Sequence, residues 1–325
     1  TISMVFSEAQ TITTTDSYDI HDRALESYIR SYTDSSFATF KDEMQHVVYS
    51  RYDNFGNVEL QYIDTYTSFD IDQTMMVDHK EILNVYDNDV ARRRGNATFT
   101  TVTRSDKDNN LIDQTYTHTT NFDPRGYAID QEITSRVYED SAFVDTQLQV
   151  IHNITIDNRG DAETQTITTY IMNPGLANEL VTYQELTNRV FDSDHNITNQ
   201  MILTYNNDSS SRILLDCQEV RSIGFYSSGV AKKQIIATFT DGSKADLIDV
   251  KVVDNLDVSL QGYVKESTVT RYGGLLDYDL GAGELKVDPL KAIDSQHIWT
   301  LSFDKRGTAL IQIIVQSYFH PETTS

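Results

Sequence analysis

A turn signal that returns on a schedule constrains this chain more than any other feature. Its clearest copy is Tyr52-Asp53-Asn54-Phe55-Gly56-Asn57, set between apolar-alternating stretches that end near Val48 and resume at Val58. In a type I turn an Asp at the first position accepts backbone N–H bonds, and a Gly at the fourth can take φ > 0. When such a turn closes a hairpin, the left-handed residue forms the bulge that lets both strands keep their twist. The spacing returns at Asp123-Pro124-Arg125-Gly126, Asp157-Asn158-Arg159-Gly160 and Asp304-Lys305-Arg306-Gly307. Asp53, Gly56, Asp123, Gly126, Asp157, Gly160, Asp304 and Gly307 are therefore expected at hairpin tips.

Weaker copies, in which an aromatic or similar residue precedes a polar run, fall between these. The anchors are Tyr18, Tyr32, Tyr52, Phe69, Tyr86, Ser105, Phe122, Tyr138, Ile156, Pro174, Phe191 and Tyr205, separated by 14, 20, 17, 17, 19, 17, 16, 18, 18, 17 and 14 residues. Such an interval is an internal repeat. It leaves room for one long strand between turns, and the alternation agrees: Leu148, Val150, Ile154 and Ile156 share one parity, Asp145, Gln147, Gln149 and Asn153 the other. Strands joined by tight turns are antiparallel neighbours, so residues 1–211 are expected to form one all-β antiparallel meander, a coiled sheet or barrel-like shell.

Composition shifts near Ser209-Ser210-Ser211. Of the 49 acidic and 26 basic residues, 34 acidic and 14 basic lie before residue 212, and only Lys41, Lys80 and Lys107 of the lysines do. Shorter strand-like runs follow: Arg212–Val220, Gln234–Phe239, Ala245–Val253, Val264–Arg271, His297–Phe303 and Ala309–Phe319. Residues 212–325 are thus expected to form a second, smaller β-sandwich or barrel domain. Asp22–Tyr32 and Pro289–Asp294 are the two candidate helices.

A net charge of -23 repels nucleic acid and anionic lipid. A single cysteine, Cys217, forbids an intrachain disulfide and paired-thiolate metal sites, and is expected in a strand core. There is neither a run of about 18 apolar residues nor a basic-then-apolar leader, so neither a transmembrane helix nor a signal peptide is expected. A start at Thr1 fits a processed protein or a fragment.

An aromatic followed by Asp-x-x-Gly and a β-rich run, best at Tyr52–Val58, Phe122–Gly126 and Phe303–Gly307, resembles the YD-repeat (Rhs-type) proteins. By spacing the resemblance covers residues 18 to 205. It implies spiralling β-sheet shells or elongated surface structures within secreted proteins. Several repeats here lack the Gly, and nothing matches the self-cleaving segment that ends many Rhs shells.

Chemistry-bearing motifs are sparse. Asp-x-Asp pairs at the tips, Asp70 and Asp72, Asp87 and Asp89, Asp106 and Asp108, Asp192 and Asp194, are candidate Ca²⁺ ligands, since a hard cation wants converging carboxylates. No tip carries the distal Glu of a full Ca²⁺ loop. Tyr272-Gly273-Gly274 and Gly281-Ala282-Gly283 lack the strand, helix and Lys context of phosphate loops and are read as turns. Neither a nucleophile elbow nor a His pair at zinc spacing is present. Arg92-Arg93-Arg94 is expected to balance local acids. Asn96, Asn153, Asn196 and Asn207 open glycosylation sequons.

The leading expectation is a non-enzymatic structural protein, extracellular or on a cell surface, in a fibre, wall or shell held by self-association. A Ca²⁺-assisted glycan-binding adhesin is the alternative. An outer-membrane barrel is disfavoured by charges on both strand faces, and a polysaccharide hydrolase by the lack of a motif.

Overall fold

Alternation and turn chemistry decide the architecture. Among the described residues, eighteen strands form one long antiparallel meander that does not close, accompanied by a two-stranded sheet. The computed structural model describes residues 9–15, 17–277 and 285–319. It divides into two compact units, Thr1–Ile151 with Tyr170–Glu179, and His152–Thr169 with Leu180–Ser325.

The first unit holds β1 (Ala9–Thr14), β2 (Glu26–Tyr32), β3 (Phe40–Tyr52), β4 (Val58–Tyr66), β5 (Met76–Val85), β6 (Phe99–Ser105), β7 (Leu111–Phe122) and β8 (Ala128–Glu139). Most of β9 (Ala142–Ile156) belongs to it as well. Each strand from β1 to β8 pairs antiparallel with the next, as in Phe122↔Ala128 across the Asp123 tip. Apolar burial is thin: Met44, Val47, Tyr66 and Ile112 are buried, beside polar Ser27, Ser31, Thr65 and Asp78. Successive side chains of a strand point to opposite faces, so Met44 and Val47 bury on opposite faces of β3.

In the second unit β10 (Ala162–Ile171) and β11 (Glu179–Phe191) lead into β12 (Ile197–Tyr205), β13 (Leu214–Phe225), β14 (Ala231–Phe239), β15 (Leu247–Val258) and β16 (Val264–Tyr272). The small sheet of β17 (Leu275–Asp277) and β18 (Lys286–Val287) interrupts before β19 (Ala292–Phe303) and β20 (Ala309–Tyr318) resume the meander. Here the core is concentrated: Cys217, Ile235, Ala237, Phe239, Val250 and Val252 come from one face of β13–β15 and pack with Leu285. Met201, Leu203, Tyr272, Leu275 and Val287 border them. Burying a side chain such as Phe239 or Val250 stabilises by about 1.5–3 kcal/mol, which makes this cluster the apolar anchor of the unit.

Two expectations are corrected. Among the described residues there is no separate sandwich or barrel after residue 212, because β12 and β13 pair across the compositional break, with Asn199↔Arg221 and Cys217↔Leu203 in register. Hairpin pairing depends on turn residues and alternation, not on net charge, so a shift in charge leaves the meander intact. Nor is Asp22–Tyr32 a helix: Glu26, Tyr28 and Arg30 alternate with Ser27, Ile29 and Ser31 in β2, held between β1 and β3. Pro289–Lys291 is a single 3₁₀ turn whose N-cap, Asp288, accepts from Leu290 N–H at 3.0 Å. The Gly281-Ala282-Gly283 turn lies outside the described residues.

Candidate functional site

Asp53 shows how a tip is built. Its N–H donates to Asn57 O at 2.9 Å, its carbonyl accepts from Gly56 N–H at 3.2 Å, and Gly56 has φ +89°. Oδ1 then accepts from the N–H groups of Phe55 at 2.7 Å and Asn57 at 2.9 Å. The same carboxylate pattern, to the second and fourth following residues, recurs at Asp19, Asp106, Asp123, Asp157, Asp192 and Asp304. Tyr226 and Ser259 open turns with the same backbone bonds. The left-handed position is Gly126 (φ +88°), Gly160 (φ +99°) and Gly307 (φ +87°) as expected from sequence, but Asp22 (φ +59°), Asn109 (φ +62°) and His195 (φ +64°) at three others.

Burial alone would raise the Asp53 carboxyl; the bonds from Arg92, Asn57 and Phe55 together outweigh it and hold the group at about 2. The same contest, burial against hydrogen bonds, leaves Asp106, Asp123, Asp157 and Asp192 below the usual carboxylate range. At Asp304 the Thr308 N–H leads the lowering.

These bonds answer what the Asp-x-Asp pairs do. Asp106 and Asp192 hold their own turns, and Asp72 caps a 3₁₀ turn by accepting from Thr74 N–H at 2.9 Å and Thr74 Oγ1 at 2.7 Å. Asp108 pairs with Lys107 at 2.9 Å, and Asp70 with Arg30 at 3.4 Å. Asp87 donates its N–H to Thr98 Oγ1, Asp194 donates its own to Asp192 Oδ1, and Asp89 starts the short helix α1 (Asp89–Arg92). Among the described residues no three His, Cys, Asp or Glu side chains converge as metal ligands.

Neighbouring tips also grip one another. Arg92 Nε donates to Asp53 Oδ2 at 2.8 Å while its carbonyl accepts from Asn57 Nδ2 at 2.7 Å, so Arg92 of the Arg cluster answers Asp53. Asn96 Nδ2 reaches Gly126 O at 2.8 Å. In the second unit Arg159 Nη1 donates to Asp192 O at 2.8 Å, and His195 Nδ1 lies 2.6 Å from Asp161 Oδ1.

Sequence reasoning missed a row of titratable groups across β2–β5. Register places Tyr28 opposite His46, His46 opposite Asp64 and Asp64 opposite His79. His46 Nε2 is 2.6 Å from Glu26 Oε1, and His79 Nδ1 is 2.5 Å from Asp64 Oδ1. Tyr28 and Thr15 hydroxyls also donate to Glu26, while the Tyr28 and Tyr62 rings stack on the two imidazoles. The His46 bond is the main reason the Glu26 carboxyl is lowered, and the Asp64 bond the main reason the His79 imidazole is raised. Glu26 thus accepts from groups on three sides, and the row cross-braces four strands. No residue spacing signals it, because its members meet only through strand register.

The last strand is different in kind. Every residue of β20 is exposed, including Leu310, Ile311, Ile313, Ile314, Val315 and Tyr318. Among the described residues it pairs only with β19. From Thr308 to Phe319 the sequence holds no charged residue, no Gly and no Pro. Edge strands are ordinarily blunted by charge, Pro or a cover, since their free N–H and C=O groups template further pairing.

No family model and no curated protein matches the chain. Among solved structures it is similar to a Photorhabdus luminescens Tc holotoxin pore, at 9% identity and a TM-score of 0.14, over 94% of this chain and 22% of that one. The chain therefore spans about a fifth of the chain it matches.

Proposed function

We propose that the chain is a non-enzymatic structural module, a stretch of β-wall in a larger extracellular or cell-surface assembly. One observation carries the reading: eighteen strands run as one antiparallel meander whose neighbouring tips bond to one another, Arg92 to Asp53 and Arg159 to Asp192. The interlocked tips and the braced row fit the same role, because their polar groups are spent on one another. Seven Asp-opened tips, five of them preceded by Tyr or Phe, support placing the wall with YD-repeat architecture.

Electron microscopy of native material, with light scattering of purified protein as salt or Ca²⁺ is raised, tests it. Screening relieves the repulsion of a -23 chain, so association is expected to strengthen with salt. Regular fibres, tubes or sheets are the expected result. A monodisperse monomer under every condition overturns the reading. Glycan-array binding that vanishes with chelator would move it to the adhesin.

A further inference from the structure

The loop between β2 and β3 departs from the turn rule at one residue. Asp34 opens it much as Asp53 opens its tip: Oδ1 accepts from the N–H groups of Ser36 at 2.9 Å and Ala38 at 3.2 Å, and Phe37 N–H reaches the Asp34 carbonyl at 3.3 Å. Oδ2 accepts from Thr39 N–H at 2.7 Å. The fourth position, filled by Gly in the Asp53 and Asp123 tips, is here Phe37 at φ +59°. A bulky residue in that left-handed region is a genuine outlier, and strain of this kind gathers where a side chain serves a function. The Phe37 ring meets the Tyr32 ring edge-on at 5.4 Å and stays about half exposed.

Its surroundings extend the same surface. Loops that follow even-numbered strands share the rim opposite the Asp53 and Asp123 tips, and the one between β4 and β5 adds Phe69, Ile71 and Met75, each about half exposed. Phe40 joins the two loops, 6.3 Å from the Tyr32 ring and 5.3 Å from the Phe69 ring. Hydrogen bonds hold the patch in shape. Arg30 Nε donates to Phe69 O at 2.8 Å with its guanidinium 4.5 Å from that ring, Asp72 caps the 3₁₀ turn that ends in Met75, and Thr67 N–H donates to Met75 O at 3.0 Å. Gln73 Nε2 ties this loop to the next by donating to Lys107 O at 2.9 Å. Apolar side chains presented on braced loops bind at little ordering cost.

Charge decides what fits there. The loops 33–39, 67–75 and 106–110 carry Asp34, Asp70, Asp72, Asp106 and Asp108 against Lys107 alone. The Ser36 hydroxyl leads in lowering the Asp34 carboxyl and the Thr74 hydroxyl in lowering Asp72, so both stay ionised, and the Asp70 side chain is 85% exposed. The opposite rim differs, setting Arg23, Arg92, Arg93, Arg94 and Arg125 among its acids.

We propose that this rim, centred on Phe37, Phe69, Ile71 and Met75, docks a cationic polypeptide segment of another protein, one that carries Lys or Arg beside aliphatic or aromatic side chains. Its apolar groups cover the four half-exposed side chains, and its cations lie against Asp70 and the turn carboxylates. A second copy of this chain, at a net charge of -23, is repelled where such a segment is drawn in.

Fluorescence anisotropy of a labelled Lys-Leu-Leu-Lys repeat peptide, titrated with the full chain at low salt, tests the docking. Saturable binding is expected, at least about tenfold weaker for a Lys-Ser-Ser-Lys repeat and weaker as salt is raised. Phe37→Gly is the decisive variant, because glycine suits φ +59° and only the ring is lost. It is expected to hold the urea midpoint while binding the Lys-Leu peptide at least about tenfold more weakly. Should loss of the Tyr32 contact lower that midpoint, Met75→Ser, outside the Asp34 turn, repeats the test with the same loss of binding expected. Asp70→Lys, at an exposed side chain, is expected to weaken binding and flatten its salt dependence.

No saturable binding by the unmodified chain overturns the docking surface, as does equal binding of the two peptides. So does binding that Phe37→Gly, Met75→Ser and Asp70→Lys all leave unchanged. A dimer seen in sedimentation and lost in Phe37→Gly assigns the patch to a second copy, and uptake onto phosphatidylcholine vesicles lost in the same variant assigns it to a membrane; either overturns the cationic segment. The β-wall stands or falls separately, because its self-association strengthens with salt whereas docking on this rim weakens.

Discussion

Alanine at Gly126 and at Gly56 separates two costs that one glycine usually hides. Both residues are left-handed, at φ +88° and +89°. For an L side chain that conformation costs about 1–2 kcal/mol, partly offset because Ala narrows the unfolded ensemble by about 0.4–1 kcal/mol. At Gly56 a new Cβ would meet nothing within 4 Å, so the net loss should be about 1 kcal/mol. At Gly126 the Cβ would come within 2.9 Å of Ala91 Cα, 3.0 Å of Ala91 N and 3.0 Å of Val90 O. All three are backbone atoms of α1, which cannot swing aside, and overpacking of that kind adds about 1–3 kcal/mol. Gly126→Ala should then cost about 2–4 kcal/mol. Urea unfolding followed by circular dichroism reads the difference as a lower midpoint at unchanged slope. Asn at either position should cost less strain than Val, since Asn109 already occupies that place in another tip. Equal losses for the two alanine variants would refute the packing of α1 on the Asp123 tip. Neutral alanines at both sites would refute the left-handed turns themselves.

Three further outcomes follow from the polar network. Asp53, held at about 2 against an ordinary 3.8 and nearly fully buried, is depressed, so its stabilisation is present above about pH 4 and lost as pH falls through 2; Asp53→Asn should remove on the order of 2 kcal/mol at neutral pH and flatten acid unfolding in that window. His79 is raised through Asp64, so its contribution is full below about pH 6.5 and fades as pH climbs through the folded value; the urea midpoint should drop on the alkaline side, and Asp64→Asn should abolish that drop. Glu219, wholly buried, accepts from Arg221 Nη1 at 2.7 Å and pairs with Lys244; Glu219→Ala strips both cations of the carboxylate they share and should cost about 3–5 kcal/mol by thermal or urea melts.

Much of the meander was legible because hairpins are local. Asp at the first position and Gly at the fourth carry their own geometry, so Gly56, Gly126, Gly160 and Gly307 could be placed at φ > 0 from four letters. Where another residue fills the left-handed position the same logic goes silent: Asn109 and His195 close equivalent turns, yet read as ordinary polar residues. Asp22–Tyr32 misled because its alternation is short and its neighbours decide it; β2 exists by pairing on both sides. Beyond 212 a lower charge was mistaken for a new fold. The Glu26–His46–Asp64–His79 row could not be read at all, since each contact spans 15 or 20 residues of sequence and needs the register of three hairpins at once.

The turns also reveal a longer period than the one first visible. Asp53, the helix cap Asn88, Asp123, Asp157, Asp192, Tyr226 and Ser259 stand 35, 35, 34, 35, 34 and 33 residues apart, twice the 17-residue interval. Each follows an odd-numbered strand, from β3 to β15, so the structural unit is a pair of strands and the odd tips share one edge within each unit of the fold. That explains why tips two strands apart can bond, as Asp53 does with Arg92 and Asp192 with Arg159. A stack in which every repeat leans on its neighbour gains stability by nearest-neighbour contacts and leaves its terminal repeats unsatisfied unless they are capped. Gly307, in the tip between β19 and β20, sits against the Tyr263 ring of the tip before it, a further contact between neighbouring repeats.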